Sequence, residues 1–443
     1  MKKLISVVLF LPFLAAILCA QTSPPFSPAA EVNKILPSWL KFGGEYRARF
    51  EGYSGGGFKP ATTDAYWLSR TRLNLTIKPT PWLKLFGEGQ DSRAIAKQPG
   101  QPPYENVWDI RQAFAEIGDA DKNLLALRVG RQEINYGDQR LVGSSNWTNT
   151  ARSFDAVRGF LNVSAPLATV RLELFAASVV NAVNDTWDHH QQGNNLHGIH
   201  FEITKLIPGA SIEPYVYWRL QPGVRTEAGV VSKLNEKVPG VRFVGKLPGG
   251  FDFQLEFVKE LGTVGAKNPG HDNIAAAAQH WVLGRTFAAT PWKPRPWIEY
   301  NYASGDANSK DGTRGTFDQL YPTAHDKYGL ADQVGWKNIN DLRGGIEMKP
   351  RKNLTGIVEY NDWHLANAHD ALYNTSSTSL ARSTAGTAGT HVGQEFDVTA
   401  IWTVFGALQT GAGLGHLFPG EFLRKSTPGN SYTYPYVTFT YRF

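Results

Sequence analysis

From Lys41 to Glu51 the chain alternates with a period of two. One parity holds Lys41, Glu45, Arg47, Arg49 and Glu51, and the other holds Phe42, Gly44, Tyr46, Ala48 and Phe50. A strand built from this segment carries charge on one face and apolar or aromatic groups on the other. The same arrangement returns along the chain. Arg70, Arg72, Asn74 and Thr76 oppose Thr71, Leu73, Leu75 and Ile77, and Lys84, Glu88 and Gln90 oppose Leu83, Leu85, Gly87 and Gly89. Glu213, Tyr215, Tyr217 and Arg219 oppose Ile212, Val216 and Trp218; Arg343, Glu347 and Lys349 oppose Leu342, Ile346 and Met348. The segments predicted as strands are 40–52, 65–78, 82–92, 106–117, 124–135, 152–163, 167–179, 195–206, 210–220, 238–247, 251–261, 278–289, 295–304, 338–349, 353–363, 391–404, 406–417 and 432–443.

That gives about eighteen strands, an even number, joined by connections of two kinds. Pro79 to Trp82, Pro208 to Gly209, Pro248 to Gly250 and Pro350 to Lys352 read as tight turns, whereas 180–194, 305–337 and 364–390 read as long outer loops. Alternation alone leaves open which face is inside, because a soluble β-sandwich also alternates. Strands near the ~9–11 residues that cross a bilayer, and aromatics at strand ends, favour a transmembrane antiparallel β-barrel. Tyr53, Trp67, Trp82, Trp218, Trp281, Trp292, Trp297, Trp363 and Trp402 are the candidates for interfacial girdles.

The first twenty residues form a separate object. Lys2 and Lys3 precede an apolar stretch from Leu4 to Leu18, followed by Cys19 and Ala20, which reads as a secretory signal peptide cleaved after Ala20. Leu18 directly before Cys19 fits a lipoprotein cleavage site poorly. Loss of residues 1–20 removes the only cysteine, so no disulfide supports the mature protein. Residues 21–38, with Pro24, Pro25, Pro28 and Pro37, are expected to be an irregular periplasmic lead-in, and 39–443 the barrel. Beyond the signal peptide, no apolar run approaches the ~20 residues of a spanning helix, which excludes a helical membrane protein and leaves a barrel open.

Catalytic patterns are scarce: there is no GxSxG elbow, HExxH, P-loop or dinucleotide fingerprint, and no cofactor or nucleic-acid partner is expected. Asp188, His189, His190, His197 and His200 are better read as solvated residues than as metal ligands. The segment around Asp306, Asn308 and Asp311 has Lys310 where a calcium loop wants an oxygen ligand. The informative chemistry is the placement of base. Arg47, Arg49, Arg70, Arg72 and Arg343 share the charged parity, with Glu45, Glu88 and Glu347 as partners on the same face. If the apolar parity meets lipid, these groups line the lumen, and a ring of guanidinium forks attracts anions.

Residues 128–158, RVGRQEINYGDQRLVGSSNWTNTARSFDAVR, resemble the characteristic segment of the bacterial alginate export family of outer-membrane porins. WDIRQAFAEI at 108–117, YASGDANSKDGTRGTFDQLYPTAHDKYG at 302–329 and HLFPGEFL at 416–423 support it. The resemblance implies a monomeric barrel of 18 strands in the bacterial outer membrane, with a positively lined pore passing an anionic polysaccharide. By the same motifs Arg111, Arg131, Arg140, Arg152 and Arg158, with Asp138 and Asp155 as charge partners, become constriction or wall residues. Uptake of small anions or acidic sugars is the alternative within transport. An outer-membrane hydrolase embedded in a barrel, and a soluble glycan-binding β-protein, are alternatives of other classes.

The last strand ends with Val437, Phe439, Tyr441 and Phe443 on one parity. This resembles the signal by which outer-membrane barrels engage their assembly machinery. Deleting Phe443 is therefore expected to lower the amount of heat-modifiable, assembled protein in the membrane without changing the conductance of each inserted pore; wild-type abundance would contradict this.

Overall fold

A computed structural model describes residues 27–97, 104–265 and 270–443. The signal peptide expected at 1–20 and the lead-in as far as residue 26 lie outside the described residues. The strands are β1 (Leu40–Ser54), β2 (Thr63–Thr80), β3 (Leu83–Ile95), β4 (Asn106–Ile117), β5 (Leu125–Gln132), β6 (Phe154–Ser164) and β7 (Thr169–Asn181). There follow β8 (His189–Ile207), β9 (Ala210–Arg225), β10 (Val231–Leu247), β11 (Phe251–Val264), β12 (Asp272–Arg285), β13 (Arg295–Ala303) and the two-residue β14 (Thr313–Arg314). The chain ends with β15 (Ile339–Arg351), β16 (Leu354–His364), the hairpin β17 (Ala371–Tyr373) and β18 (Ser379–Arg382), then β19 (His391–Phe405), β20 (Leu408–Pro419) and β21 (Tyr432–Arg442).

Eighteen of these strands form a closed antiparallel barrel. Each pairs with the next, β13 with β15 and β16 with β19 across the intervening loops, and β21 returns to β1 with Phe50 opposite Val437. Closure leaves no unpaired edge, which is what a sheet in lipid requires. At the seam the Phe443 ring lies over Gly44, where a Cβ would sit 2.6 Å from the ring and 2.7 Å from the Arg72 carbonyl, so only glycine fits. Phe443 and Gly44 also exchange two backbone hydrogen bonds.

The packing is inverted relative to a water-soluble protein. Leu73, Leu75, Ile110, Leu174, Val216, Leu342, Phe396 and Val398 are exposed on the outside, while Arg47, Arg49, Arg70, Arg72 and Glu51 on the other parity are buried. A continuous apolar exterior of this extent is a lipid-facing surface. Trp67, Trp82, Trp218, Trp281 and Trp292 are exposed, as expected of girdle residues. Three girdle candidates turn inward instead. Tyr53 stacks on Tyr432, Trp297 lies under the Arg343 guanidinium and lines the main cavity, and Trp363 is wholly buried. Each shares the parity of a buried lumen residue two positions away (Glu51, Glu299 and Asn361), and parity outranks residue type.

Two further expectations are corrected. Part of the lead-in is helical: α1 (Pro28–Ile35) begins with Ser27 capping the Ala30 amide and with proline in its first turn, where the missing N–H costs nothing. Asn33 then ties the helix to the strand edge through both polar groups of Phe42. The connection expected at 180–194 is only seven residues, 182–188, because β8 begins at His189.

The lumen is not empty. β5 and β13, of 8 and 9 residues, are the two shortest barrel strands, and each releases its chain into a loop that folds inside, 133–153 and 304–338. Loop residues Ile134, Leu141, Val142, Phe317, Leu330 and Trp336 build one apolar cluster with inward strand residues and with Phe422 and Leu423 of α2 (Glu421–Ser426).

The facing of β2 can be tested directly. Leu73→Arg places a charge against lipid at a cost of ~2–4 kcal/mol near the bilayer midplane, whereas Asn74→Arg changes only the lumen. Leu73→Arg is expected to reduce insertion into vesicles and Asn74→Arg to leave it near wild type; equal insertion would reverse the assignment.

The candidate conduction pathway

The wall formed by β1, β2 and β4 presents five guanidinium groups to the loop 133–153. Arg47 donates to the Asn146 carbonyl at 2.7 Å, to the Thr148 carbonyl at 3.2 Å and to Asn149 Oδ1 at 3.3 Å. Arg49 donates to the Trp147 carbonyl at 2.6 Å, lies 3.9 Å above the Trp147 ring and pairs with Glu51. Arg70 donates to the Asn146 carbonyl at 2.9 Å and to Glu45 at 2.6 Å. Arg72 binds Gln90 at 2.6 Å and Asn146 Oδ1 at 2.9 Å. Arg111 pairs with Glu88 at 3.0 Å and with Glu133, and also reaches Asn146.

Loop residues reciprocate. The Asn149 amide donates to the carbonyls of Ser69, Arg93 and Tyr104, binding the loop to β2, β3 and the start of the β4 approach. Ser92 on β3 donates to the Asn149 carbonyl at 2.9 Å.

The second inward loop, 304–338, is held mainly by acids. Glu395 accepts the Ala331 amide at 2.9 Å, Asp397 the Leu330 amide at 3.2 Å, and Glu260 the Asp318 amide at 3.0 Å. Asp318 pairs with Arg219 at 2.9 Å and Lys337 at 3.2 Å, and the two cations hold it well below the usual carboxylate range although burial alone would raise it. Asp138 is lowered in the same sense: burial opposes, but Arg140 and Lys327 prevail. Arg140 continues to Glu299 at 2.9 Å and Asn301 at 3.2 Å. Arg343 donates to the carbonyls of Asp326 and Lys327 and to Glu359 at 3.0 Å.

The two loops also hold each other. Trp147 and His325 stack with centroids 3.7 Å apart and planes 3° from parallel. Arg152 donates to the Gly143 and Pro322 carbonyls, with burial drawing its guanidinium down to about 10, still charged at neutral pH.

A cavity of about 1710 Å³ opens on the side of the short turns, where Lys205, Lys246, Arg295 and Arg442 line its mouth; Arg47, Arg70, Arg72, Asn146, Trp147 and His325 line its inner end. By the convention of such barrels the short turns face the periplasm. A cavity of about 540 Å³ lies on the long-loop side, lined by Arg219, Asp318, Lys337, Asp370 and Arg382 among others. The two share no lining residue. Arg140, in the wall of the first, packs against Tyr328 and Trp336; Trp336 packs on Phe317, beside Asp318 in the wall of the second. An aromatic partition therefore separates them.

Of the residues expected along the pathway, Arg47, Arg70, Arg72, Arg140, Arg343, Glu45, Asp138 and Glu347 line the main cavity. Arg49 and Arg111 sit behind it, buried in pairs, as does Glu88 with Arg111. Arg158 chelates Glu173 at 2.5 and 3.0 Å and borders a separate cavity of about 550 Å³. Arg131 and Asp155 pair with each other at 2.8 Å, and His190 joins Asp155 at 3.0 Å. Arg152 fastens loop to loop. His200 packs between Tyr136 and Tyr215 inside the barrel, far in role from His190 at the loop end, so the histidine-rich segment does not converge. Asn146, Trp147, Asn149 and His325 are the residues that sequence reading missed. Their available signal is the break in alternation between Gln132 and Phe154.

A closed, inside-out barrel with a charged lumen narrowed by inward loops is an outer-membrane channel of the porin class. Residues 38–436 match the family described as Alginate export, and the chain belongs to that family. No curated protein matches its sequence. Among solved structures it is similar to Pseudomonas aeruginosa OpdK with vanillate, at TM-score 0.61 and 11% identity, over 91% of this chain and 98% of that one. It is similar also to OccK8 (OprE) of the same organism, at 0.60 and 10%, over 91% and 98%, and to OccK3 (OpdO), at 0.59 and 10%, over 91% and 95%. The likeness is one of fold, and the protein is placed in the bacterial outer membrane.

Asn149 offers the sharpest test of loop docking. Asn149→Ala removes a buried amide that serves three carbonyls, at a cost of about 1–3 kcal/mol. The barrel should assemble normally while single-channel current becomes larger and noisier; an unchanged current trace would show that the loop is held without it.

Proposed function

We propose that the channel passes acidic solutes by passive diffusion, drawn to the positive wall of β1 and β2. The observation that carries this reading is the state of Arg47 and Arg72. Both line the main cavity, yet neither forms an ion pair among the described residues; their donors go to neutral carbonyl and amide oxygens. A neutral acceptor satisfies the hydrogen bond and leaves the charge uncancelled. A charge held in this way suits a carboxylate, which pairs most strongly with a guanidinium where water is scarce.

Within that reading, short acids fit better than a long polymer. The aromatic partition and the loops leave separate cavities, and an extended polyuronate would need both loops displaced. One fold neighbour, OpdK, was crystallised with vanillate, itself a small aromatic carboxylate. Family membership supports uronate chemistry, so short acidic sugars unite the two lines of support. Arg131 and Arg343, by contrast, are neutralised by Asp155 and by Glu359 with Glu299.

Reversal potentials under a salt gradient test the reading. The wild-type pore is expected to prefer anions, and Arg72→Gln to weaken that preference, with Arg131→Gln changing it less. The difference should be greatest in dilute salt, because the Debye length falls from ~30 Å at 0.01 M to ~8 Å at physiological strength. A cation-selective wild-type pore would overturn the acidic-solute reading, and block that strengthens steadily with oligouronate length would overturn the preference for short acids.

A further inference from the structure

Three ligand-type side chains meet on the outer rim, away from the lumen. β16 ends in Asp362, Trp363 and His364. Trp363 is wholly buried inside the barrel, so Asp362 and His364, its neighbours in sequence, turn to the outer face. β19 lies alongside. Simple alternation would put Val392 opposite His364, but the register skips: Trp363 pairs with Gly393 and His364 with His391, while Val392 is buried. Gly393 permits this bulge. Its φ is 151°, and a Cβ there would lie 2.3 Å from the Phe418 carbonyl.

The bulge brings His391 onto the face of Asp362 and His364. The two imidazole centroids are 4.9 Å apart, His391 Nε2 is 3.1 Å from Asp362 Oδ1, and His364 Nε2 is 3.8 Å from Asp362 Oδ2. One ligand atom of each residue lies within 4.8 Å of the other two. All three side chains are partly exposed, at 31%, 46% and 32% for Asp362, His364 and His391, so an ion has access from the medium. Bulges commonly re-aim a side chain in this way beside functional sites.

We propose that Asp362, His364 and His391 bind a divalent transition-metal ion of the zinc type. Two imidazole nitrogens and one carboxylate oxygen suit Zn²⁺, Ni²⁺ or Cu²⁺ far better than Ca²⁺ or Mg²⁺, which take oxygen ligands. Bond lengths of ~2.0–2.2 Å ask only for small side-chain rotations from the present spacing. His364 and His391 flank the loop 365–390, which carries the β17–β18 hairpin and supplies Asp370, Tyr373 and Arg382 to the outer cavity. The bound ion therefore fastens both ends of that loop to the barrel wall.

Calorimetric titration of Zn²⁺ into the full chain tests this, using detergent-purified protein made without a polyhistidine tag and stripped by chelator. Saturable binding is expected for the wild type, weakened at least ~10-fold by His364→Gln and by His391→Gln, since even the loss of a ligand's supporting partner costs that much. His416→Gln, on β20 and outside the cluster, should bind as the wild type does, and heat-modifiable migration shows that each variant is folded. Absence of saturable Zn²⁺ binding, unchanged affinity in both cluster variants, or equal weakening by His416→Gln would each overturn the site.

Discussion

The interior of this barrel depends on guanidinium groups taking the backbone carbonyls of a loop that has no regular structure of its own. A chain folded into a lumen must satisfy each buried N–H and C=O, because an orphaned group costs as much as a lost hydrogen bond. The loop 133–153 meets that demand with Arg47, Arg49 and Arg70, which take the carbonyls of Asn146, Trp147 and Thr148. Lysine would supply the charge but not the fork. Arg47 reaches three acceptors at once, which a single ammonium on a flexible stem does with less precision.

The second loop answers the same demand with the opposite polarity. Glu260 on β11 and Glu395 and Asp397 on β19 accept the amides of Asp318, Ala331 and Leu330, so carboxylates hold the N–H groups of this loop while arginines hold the carbonyls of the other. Stacking of Trp147 on His325 and the reach of Arg152 to Pro322 then join the loops across the gap. The apolar residues of both loops, Leu141 and Val142 with Phe317 and Trp336, bury against one another where a simple pore would hold water.

Much of the barrel was legible because a strand's two faces separate by parity, and a one-residue slip would move every charge to lipid. All eighteen expected segments overlap strands of the barrel, and 106–117 matches β4 residue for residue. Parity failed where the chain departs from it. The girdle reading of Trp363 weighed residue type above position, and the bulge that carries His391 to His364 lies at one glycine in a segment that otherwise alternates. Strand ends were short by several residues at β8 and β10, since polar residues beyond the bilayer still pair in the sheet. The inward loops were visible only as a gap in the pattern. Nothing local in SSNWTNT distinguishes a loop in water from one whose carbonyls are spent on arginines encoded a hundred residues earlier.

The arginine wall carries two duties that constrain each other. Donors spent on the loop keep the passage narrow and keep water scarce, and scarce water is what makes a guanidinium discriminate among solutes. The charge left uncancelled on Arg47 and Arg72 is what draws a passing carboxylate without disturbing the loop. An acid that claimed the donors themselves would compete with the Asn146 and Thr148 carbonyls for the same forks. It would then favour the undocked loop by the difference in its affinity for the two states. A wall that paired every arginine with a carboxylate would hold its loops equally well and offer an anion nothing. Neutral acceptors opposite Arg47 and Arg72 let the loop be held while the positive charge remains.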